Sequence, residues 1–331
     1  MNKTGIAYAV SICVLIAAVI AGVTIGTVSI PVSTLWNRQA DPALFNILWN
    51  IRMPRVVLAG LVGASLAIAG AAFQGLLKNP LADPYTLGVS SGASVGAVII
   101  LFFGISIPFL GIFTLPVFSM AGAFITMLAV IGFAKLVDRS MKMETIILTG
   151  IIFSSFLGSI ISLMIALTGE ELRQIIGWIL GSVSMRGWDY VNMALPFIII
   201  GTLLLWLNRR ELNALIFGEE RAKHLGVNVK NRKMMILAGG SILTGAAVAV
   251  SGTIGFIGLV VPHMIRLVSG ADHRQLLPLS FLNGASLLVL CDLLSRTIIA
   301  PTELPIGVIT AFLGAPVFAF IFFKQRRTGG A

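Results

Sequence analysis

The sequence predicts an all-α integral membrane protein, with about ten transmembrane helices in a single domain covering residues 1–331. Two observations lead to this fold class. The chain is 57% hydrophobic with a mean hydropathy of +0.99, and only 11% of its residues are charged, less than half the usual share of a soluble domain. Uncharged runs such as residues 4–37 and 56–77 are also long enough to cross a bilayer, which takes about 20 apolar residues.

The predicted spans are apolar segments separated by charged or helix-breaking residues. The first segment follows Lys3 and is longer than the apolar core of a signal peptide, so we interpret it as a span. The boundary near 251–254 is the weakest, because SGTIG is small and apolar and hydropathy alone would allow nine spans. Pro262 and a cluster of glycines favour a break there. The segments lie near 6–28, 56–77, 90–109, 115–136, 145–167, 188–208, 234–251, 254–268, 279–298 and 305–323.

Basic residues are distributed unevenly between the two sides of the predicted bundle. With ten spans both termini share one side, and both termini are basic. Of the 23 lysines and arginines, six fall on the opposite side: Arg38, Arg52, Arg55, Arg173, Arg186 and Arg296. The positive-inside rule therefore predicts that both termini lie in the cytoplasm. This topology accounts for the sequence pI near 10.2, so the charge gives no reason to expect a nucleic-acid partner.

The chain lacks the residue patterns of an enzyme or of a transporter that supplies its own energy. No Gly-Lys pair occurs, so there is no phosphate-binding loop for ATP. Carriers driven by an ion gradient usually keep charged relays within their spans, but Asp292 is the one clear carboxylate inside an apolar run, with Arg296 one turn later as a partner. Cys13 and Cys291 are expected to be packed thiols, and no metal-ligand cluster stands out. The sequence thus predicts a transmembrane pathway that draws its energy from a partner protein.

The most heavily charged stretch is residues 217–233, FGEERAKHLGVNVKNRK. One interpretation is a solvated basic loop. The other is a protein-docking surface, because small and apolar residues are interleaved with the charges and a glycine would allow a tight turn between two short helices. The residues that carry this pattern are Phe217, Glu220, Ala222, Leu225 and Gly226. We expect a partner to contact the chain at about residues 211–230.

Small residues recur at every fourth position of the fifth predicted span, at Gly150, Ser154, Gly158 and Ser162. Such a stripe either lets helix backbones approach closely or lines a polar path through the membrane. Both interpretations are compatible with the pattern.

Four stretches of the chain resemble the FecCD family, the membrane permeases of ABC importers for ferric siderophores, haem and vitamin B12. They are IRMPRVVLAGLVGASLAIAGAAFQGLLKNPLADPYTLGVSSGASVGA (51–97), FGEERAKHLGV (217–227), SGTIGFIGLVVPHMIRLVSGADHRQLLP (251–278) and ELPIGVITAFLGAPVFAFIFFK (303–324). The resemblance implies the type II ABC importer architecture, with ten spans in each of two permease subunits. It also implies a cytoplasmic ATPase dimer and a substrate-binding protein docked outside. The second permease is either another copy of the chain or a paralogue.

The resemblance assigns roles to residues on the cytoplasmic side. Glu220, Ala222 and Gly226 match the coupling loop between the sixth and seventh spans, where these permeases contact the ATPase. Met143 and Glu144 lie at the inner end of the fifth span, where the family narrows its pathway, and are expected to form a cytoplasmic gate.

Three arginines on the other side match family positions that receive acidic residues of the binding protein. These are Arg52, Arg55 and Arg296. Fixed guanidinium groups pair bidentately with carboxylates and would orient a large partner. Snorkelling to lipid headgroups is the alternative for Arg52 and Arg55, and an internal pair with Asp292 is the alternative for Arg296.

These implications define the expected function. The chain would form the translocation path of an importer in the bacterial cell membrane, with no catalytic residue, metal or cofactor of its own, since ATP is bound by the partner. A ferric siderophore is the expected cargo because it is the most frequent one in the family, with cobalamin and haem as alternatives. A secondary transporter driven by an ion gradient is the alternative from a different class.

Overall fold

The computed structural model describes residues 3–26, 28, 30–35 and 41–328, and every regular element in this part of the chain is helical. The α-helices are α1 (Lys3–Thr24), α2 (Pro42–Asn46), α3 (Met53–Leu76), α4 (Val89–Phe102), α5 (Thr114–Val137), α6 (Met143–Leu167), α7 (Leu172–Ile179), α8 (Trp188–Leu207), α9 (Arg209–Ile216), α10 (Glu219–His224), α11 (Val229–Ser251), α12 (Ile257–Ser269), α13 (His273–Ser295) and α14 (Ile306–Thr328). A π-helical segment, Ile47–Arg52, joins α2 to α3. Single 3₁₀ turns lie at Val32–Leu35, Pro84–Leu87 and Gly111–Phe113.

Seven helical segments of the described chain are long and apolar enough to cross a membrane. They contain α1, α3, α5, α6, α8, α11 and α13. Three further apolar helices are shorter, namely Val89–Phe102, Ile257–Ser269 and Ile306–Phe320. The ten predicted segments therefore fall on seven long and three shorter apolar helices, in the predicted order.

The weak boundary near residue 251 is a true break in the helix. Helix α11 ends at Ser251 and α12 begins at Ile257. Gly252 has φ +71°, and a Cβ atom there would lie 2.1 Å from the carbonyl oxygen of Trp178. Only glycine fits both the left-handed backbone and the close approach, so the chain turns at this point.

Helices α3 and α11 form the centre of the bundle. The most apolar windows of the spans that contain them are 83% and 78% buried, against 22% for α1 and 17% for α6. Glycines bring α3 against its neighbours, because a Cβ on Gly63 would lie 2.2 Å from the Gly284 carbonyl oxygen and one on Gly70 would lie 1.8 Å from that of Gly258. Such backbone contact is typical of helix packing in membranes, where small residues replace hydrophobic burial as the source of close fit.

Helix α3 separates the two ends of the bundle at which the candidate residues lie. Its 24 residues span about 36 Å. It begins beside Asp292 near the end of α13, which we call the Arg55 end. It ends beside a cavity lined by Leu76, Lys78 and Lys233, which we call the Lys233 end.

Candidate functional site

The first candidate site is an ion-pair cluster centred on Arg55. Its Nε donates to both carboxylate oxygens of Asp292, at 2.9 and 3.1 Å. Its two terminal nitrogens donate to the two oxygens of Glu303, at 2.7 and 3.0 Å. Asp292 is fully buried, whereas the Glu303 side chain is 38% exposed. The cluster thus joins α3, α13 and the loop before α14 through charge-assisted hydrogen bonds, which are the strong kind.

Arg52 and Arg296 lie in the same region and are also held internally. Arg52 donates to the carbonyl oxygens of Val23 and Thr24, both at 2.9 Å, and to that of Val28. Arg296 contacts Asp292 at 3.7 Å and donates to a carbonyl oxygen of α1. Arg52, Arg55 and Arg296 are each less than 9% exposed. The carbonyl groups at the end of α1 have no helical partner of their own, so the arginines act as its cap.

The structure therefore brings together the three arginines that the sequence singles out. The Asp292 pair expected for Arg296 is present, but the shorter contact comes from Arg55. The guanidinium groups of Arg52 and Arg55 bind carbonyl and carboxylate oxygens instead of reaching outward to lipid headgroups. Docking of a binding protein at these arginines stays a prediction.

Glu303 is the acidic member of the cluster that solvent reaches. Partial burial acts to raise the pKa of its carboxyl group, but the hydrogen bonds and the charge of Arg55 outweigh this effect and hold the pKa below its usual value. Glu303 is therefore ionised at neutral pH and occupies one side of the Arg55 guanidinium group. Sequence reasoning missed this residue, because Glu303 begins one of the family-like stretches but nothing in the sequence near it marks Arg55 as its partner.

The second candidate site is the pair of short helices α9 and α10 at the Lys233 end. Ala222 of α10 is fully buried, whereas Phe217 and Leu225 are 65% and 70% exposed. Gly218, with φ +114°, makes the turn between α9 and α10, and Gly226, with φ +81°, follows α10 and leads towards α11. The sequence pattern predicted that Gly226 makes the turn between the two short helices. This prediction was wrong, because Gly218 has the unusual backbone conformation that separates α9 from α10.

One charged residue of this segment forms an ordinary surface pair. Glu220 accepts a hydrogen bond from Lys223 at 3.0 Å, and this bond together with the charge of the lysine lowers the pKa of Glu220. Both side chains are largely exposed. A single exposed pair of this kind contributes little to stability, so these charges are available to a partner.

A buried lysine lies directly beneath α10. Lys233, in the first turns of α11, is 3% exposed. Its Nζ donates to Oε1 of Glu219 at 2.7 Å and to the carbonyl oxygen of Met141 at 2.8 Å. In the sequence Lys233 is one of several basic residues in the charged stretch 217–233. Only the fold shows that this lysine points inward.

The predicted gate residues lie next to this lysine. Met143, half-buried, and Glu144, exposed, begin α6. Both line a cavity of about 330 Å³ together with Glu219 and Lys233. The predicted gate residues and the predicted coupling segment therefore line the same cavity.

The small-residue stripe of α6 divides into two halves. At Gly150 a Cβ atom would lie 2.6 Å from the Thr86 carbonyl oxygen, so this end is packed against the turn before α4. Ser154 lies beside Gly88 in the same turn. At Gly158 a Cβ atom would meet nothing within 4 Å, and Ser162 is exposed. The packing interpretation therefore describes one half of the stripe, and the other half is open.

The described residues offer no group of three or more His, Cys, Asp or Glu side chains that could hold a metal ion. The chemistry of both sites consists of ion pairing, hydrogen bonding and apolar contact. The geometry defines an all-helical membrane protein with a charged cluster at one end and an exposed helix pair at the other.

Comparison with known proteins identifies the class. The model of the FecCD transport family matches residues 14–324, and the chain belongs to that family. It is a permease subunit of an ABC importer, and ATP hydrolysis is carried out by a partner subunit.

The similar proteins cover nearly the whole chain. An uncharacterized ABC transporter permease protein of Bacillus subtilis, YvrB, is 60% identical over 99% of this chain and 96% of its own length. The hemin transport system permease protein HmuU of Yersinia pestis is 41% identical over 94% of this chain and 93% of its own. The cobalamin import system permease protein BtuC of Halobacterium salinarum is 42% identical over 83% of this chain and 73% of its own.

A solved structure supports the same assignment. It is described as an inward-facing conformation of a metal-chelate type ABC transporter. Its chain is 31% identical, has a TM-score of 0.86, and is matched over 97% of this chain and 99% of its own length.

Proposed function

We propose that the chain is one of two permease subunits that together form the translocation path for a metal chelate in a bacterial cell membrane. The observation that carries this proposal is the family match over residues 14–324, which covers both candidate sites and the small-residue stripe of α6. Ten spans with both termini in the cytoplasm accord with seven long and three shorter apolar helices and with the uneven distribution of basic residues. Membrane lipid would cover the exposed apolar faces of the outer helices.

The proposed contact with the ATPase dimer is the segment 211–230. Phe217 and Leu225 stand out from the surface of this segment, while Ala222 fixes α10 to the bundle. Two exposed apolar side chains surrounded by charge suit a groove on a partner protein. In this proposal, movement of the ATPases reaches the path through α10 and the gate at Met143 and Glu144.

The proposed contact with the substrate-binding protein is the Arg55 end. A carboxylate of the binding protein would take over the contact that Glu303 makes with Arg55, since Glu303 is the solvent-accessible partner. Arg52 and Arg296, which are more tightly enclosed, would hold the surrounding backbone in position.

The proposed cargo is a ferric siderophore, with haem and cobalamin as alternatives carried by the same machinery. The relatives named for hemin and for cobalamin are 41% and 42% identical to this chain, so identity favours neither. The open half of the α6 stripe, with Gly158 and Ser162, suits a bulky chelate because small groups leave room and bind weakly.

The test is uptake by proteoliposomes that contain the chain, its ATPase and its binding protein. Radiolabelled ferric siderophore, haemin and cobalamin would each be offered with and without ATP inside. We expect ATP-dependent accumulation of one cargo, with ferric siderophore first. Accumulation of haemin or cobalamin instead would overturn the cargo assignment but not the mechanism.

A matched control separates the proposed mechanism from a secondary transporter. An ATPase variant that binds but does not hydrolyse ATP should abolish uptake. Uptake that continues with this variant and collapses when an ion gradient is dissipated would contradict the proposal.

A further inference from the structure

We infer that Lys233 is a positioning residue that transmits movement of α10 to the start of α6. This inference deepens the proposed function, on which it rests, by naming the contact through which the ATPase-coupling segment reaches the gate. The observation behind it is that one buried ammonium group binds both elements at once.

The ammonium group has two partners from different parts of the chain. Glu219, its carboxylate partner at 2.7 Å, is the first residue of α10. Met141, whose carbonyl oxygen lies at 2.8 Å, belongs to the turn between α5 and α6. Because Lys233 is only 3% exposed, losing either bond leaves a buried charge less well satisfied. Both contacts therefore favour the same position of the ammonium group.

The turn that contains Met141 is held by hydrogen bonds to one carboxylate and leads directly into α6. The Asp138 carboxylate accepts hydrogen bonds from the backbone and hydroxyl of Ser140, at 2.9 and 2.7 Å, and from the backbone nitrogen of Lys142 at 3.2 Å. Helix α6 begins at Met143, two residues after Met141. In this inference, a displacement of the Met141 carbonyl group moves the start of α6, where Met143 and Glu144 lie.

The three elements joined by Lys233 differ in how firmly they are held. Helix α11, which carries the lysine, is packed on several sides in the centre of the bundle. Helix α10 lies at the surface, and α6 is the least buried of the seven long spans. Lys233 therefore lies on a firmly packed helix and contacts two elements that are nearer the surface. Force applied at Phe217 or Leu225 would reach α6 through this side chain.

A separate set of contacts holds α9, so the proposed role is specific to α10. Arg232 contacts Glu211 of α9 at 3.5 Å, and Asn213 of α9 donates to Asp272 at 2.6 Å. These contacts anchor α9 to α11 and to the start of α13. They do not include the turn at Met141, which Lys233 contacts directly.

The experiment measures the number of ATP molecules hydrolysed per cargo molecule accumulated. The variants are Lys233→Met, Lys233→Arg and Glu219→Gln, with Lys135→Met as the control for loss of one positive charge, since Lys135 is exposed on α5 and lies outside the segment 211–230. The cargo is whichever of ferric ferrichrome, haemin and cyanocobalamin the wild-type complex accumulates. Complex assembly is checked for each variant by size-exclusion chromatography.

For Lys233→Met we expect ATP hydrolysis close to wild type and a coupling ratio that rises roughly tenfold, the scale set by losing one charge-assisted hydrogen bond. Lys233→Arg should restore most of the coupling, because a guanidinium group keeps the charge and the donors. Glu219→Gln should uncouple in the same direction, and adding it to Lys233→Met should add little, since both changes break one connection. Lys135→Met should match wild type.

Two results would overturn the inference. One is a coupling ratio for Lys233→Met equal to that of Lys135→Met. The other is a parallel loss of assembly, hydrolysis and uptake in both Lys233→Met and Glu219→Gln, which would indicate a purely structural role. If Lys233→Met alone fails to assemble, Glu219→Gln decides, because its side chain is partly exposed and its loss is milder. Absence of ATP-dependent uptake by the wild-type complex would instead refute the proposed function itself.

Discussion

Arg55 and Asp292 form a buried ion pair across 237 residues of sequence, with Nε 2.9 Å from Oδ1. The pair fastens the beginning of α3 to the last turn of α13. A buried ion pair need not stabilise a protein relative to a well-packed apolar pair, but removing one partner strands the other charge. The pair therefore acts mainly to specify how these two helices meet at the Arg55 end.

The first prediction concerns stability. Asp292→Ala should lower the free energy of unfolding by about 3–5 kcal/mol, because it leaves Arg55 buried without its enclosed partner. Glu303→Gln should cost about 1 kcal/mol or less, because its side chain is 38% exposed. Denaturant unfolding in detergent micelles would measure both, with Glu170→Gln at an exposed site as the control. Equal losses for Asp292→Ala and Glu303→Gln would contradict this ranking.

The second prediction concerns docking. Glu303→Gln removes the charge that competes for Arg55, so the binding protein should bind the permease in nanodiscs several-fold more tightly, the scale of one charge contact at an interface. Biolayer interferometry would measure the dissociation constant. Weaker binding by Glu303→Gln would show that Glu303 orients Arg55 for the partner and does not compete with it.

The third prediction is a dependence of stability on pH. The pKa of Glu303 is held below its ordinary value of 4.5, so its contribution to stability is fully present above that value and is lost as pH falls through the lower, folded-state pKa. The difference in Tm between wild type and Glu303→Gln should therefore be constant from neutral pH down to about pH 4.5 and shrink only below it. Thermal unfolding across this range would test it. A difference that vanishes between pH 7 and 6 would contradict the assignment to Glu303.

The fourth prediction concerns the ATPase contact. The double variant Phe217→Ala, Leu225→Ala should leave the Tm of the isolated permease unchanged, because both side chains are exposed. It should weaken ATPase binding at least roughly tenfold, since apolar anchors carry much of the energy of an interface. Titration with the purified ATPase would measure this. Leu128→Ala, at an exposed position on α5, is the matched control and should bind normally.

The fifth prediction uses two glycines of one helix. Gly150→Ala should destabilise the permease by about 1–3 kcal/mol, because its Cβ atom would lie 2.6 Å from a backbone oxygen that cannot yield. Gly158→Ala should be neutral or slightly stabilising, since nothing lies within 4 Å of its Cβ atom and alanine favours the helix. Thermal unfolding of the two variants side by side measures the difference. If both variants melt at the wild-type temperature, α6 does not pack against the Thr86 turn as described.

The helices and their breaks could be predicted from sequence because hydropathy and helix-breaking residues act locally. The break at Gly252, for example, is signalled by the small residues around it. The charged segment was also recognisable, since Glu220, Ala222 and Gly226 fall within seven positions.

The contacts that organise the candidate sites could not be predicted in the same way. Arg55 and Glu303 lie in segments 248 residues apart, and nothing in either segment marks the other as its partner. Lys233 sits among other basic residues, and its inward direction depends on how α10 folds back over α11. In both cases the partner is chosen by tertiary packing, which a single sequence does not reveal.

The backbone contacts of Gly63 with Gly284 and of Gly70 with Gly258 have a mechanical consequence. Helices that touch through their main chains cannot slide past one another without a steric clash, so α3, α12 and α13 behave as a rigid frame. Any change in the width of the pathway must then come from the helices outside that frame. In the proposed mechanism α3, α12 and α13 stay fixed relative to one another, and α6, which begins beside the proposed coupling segment, is the helix that moves.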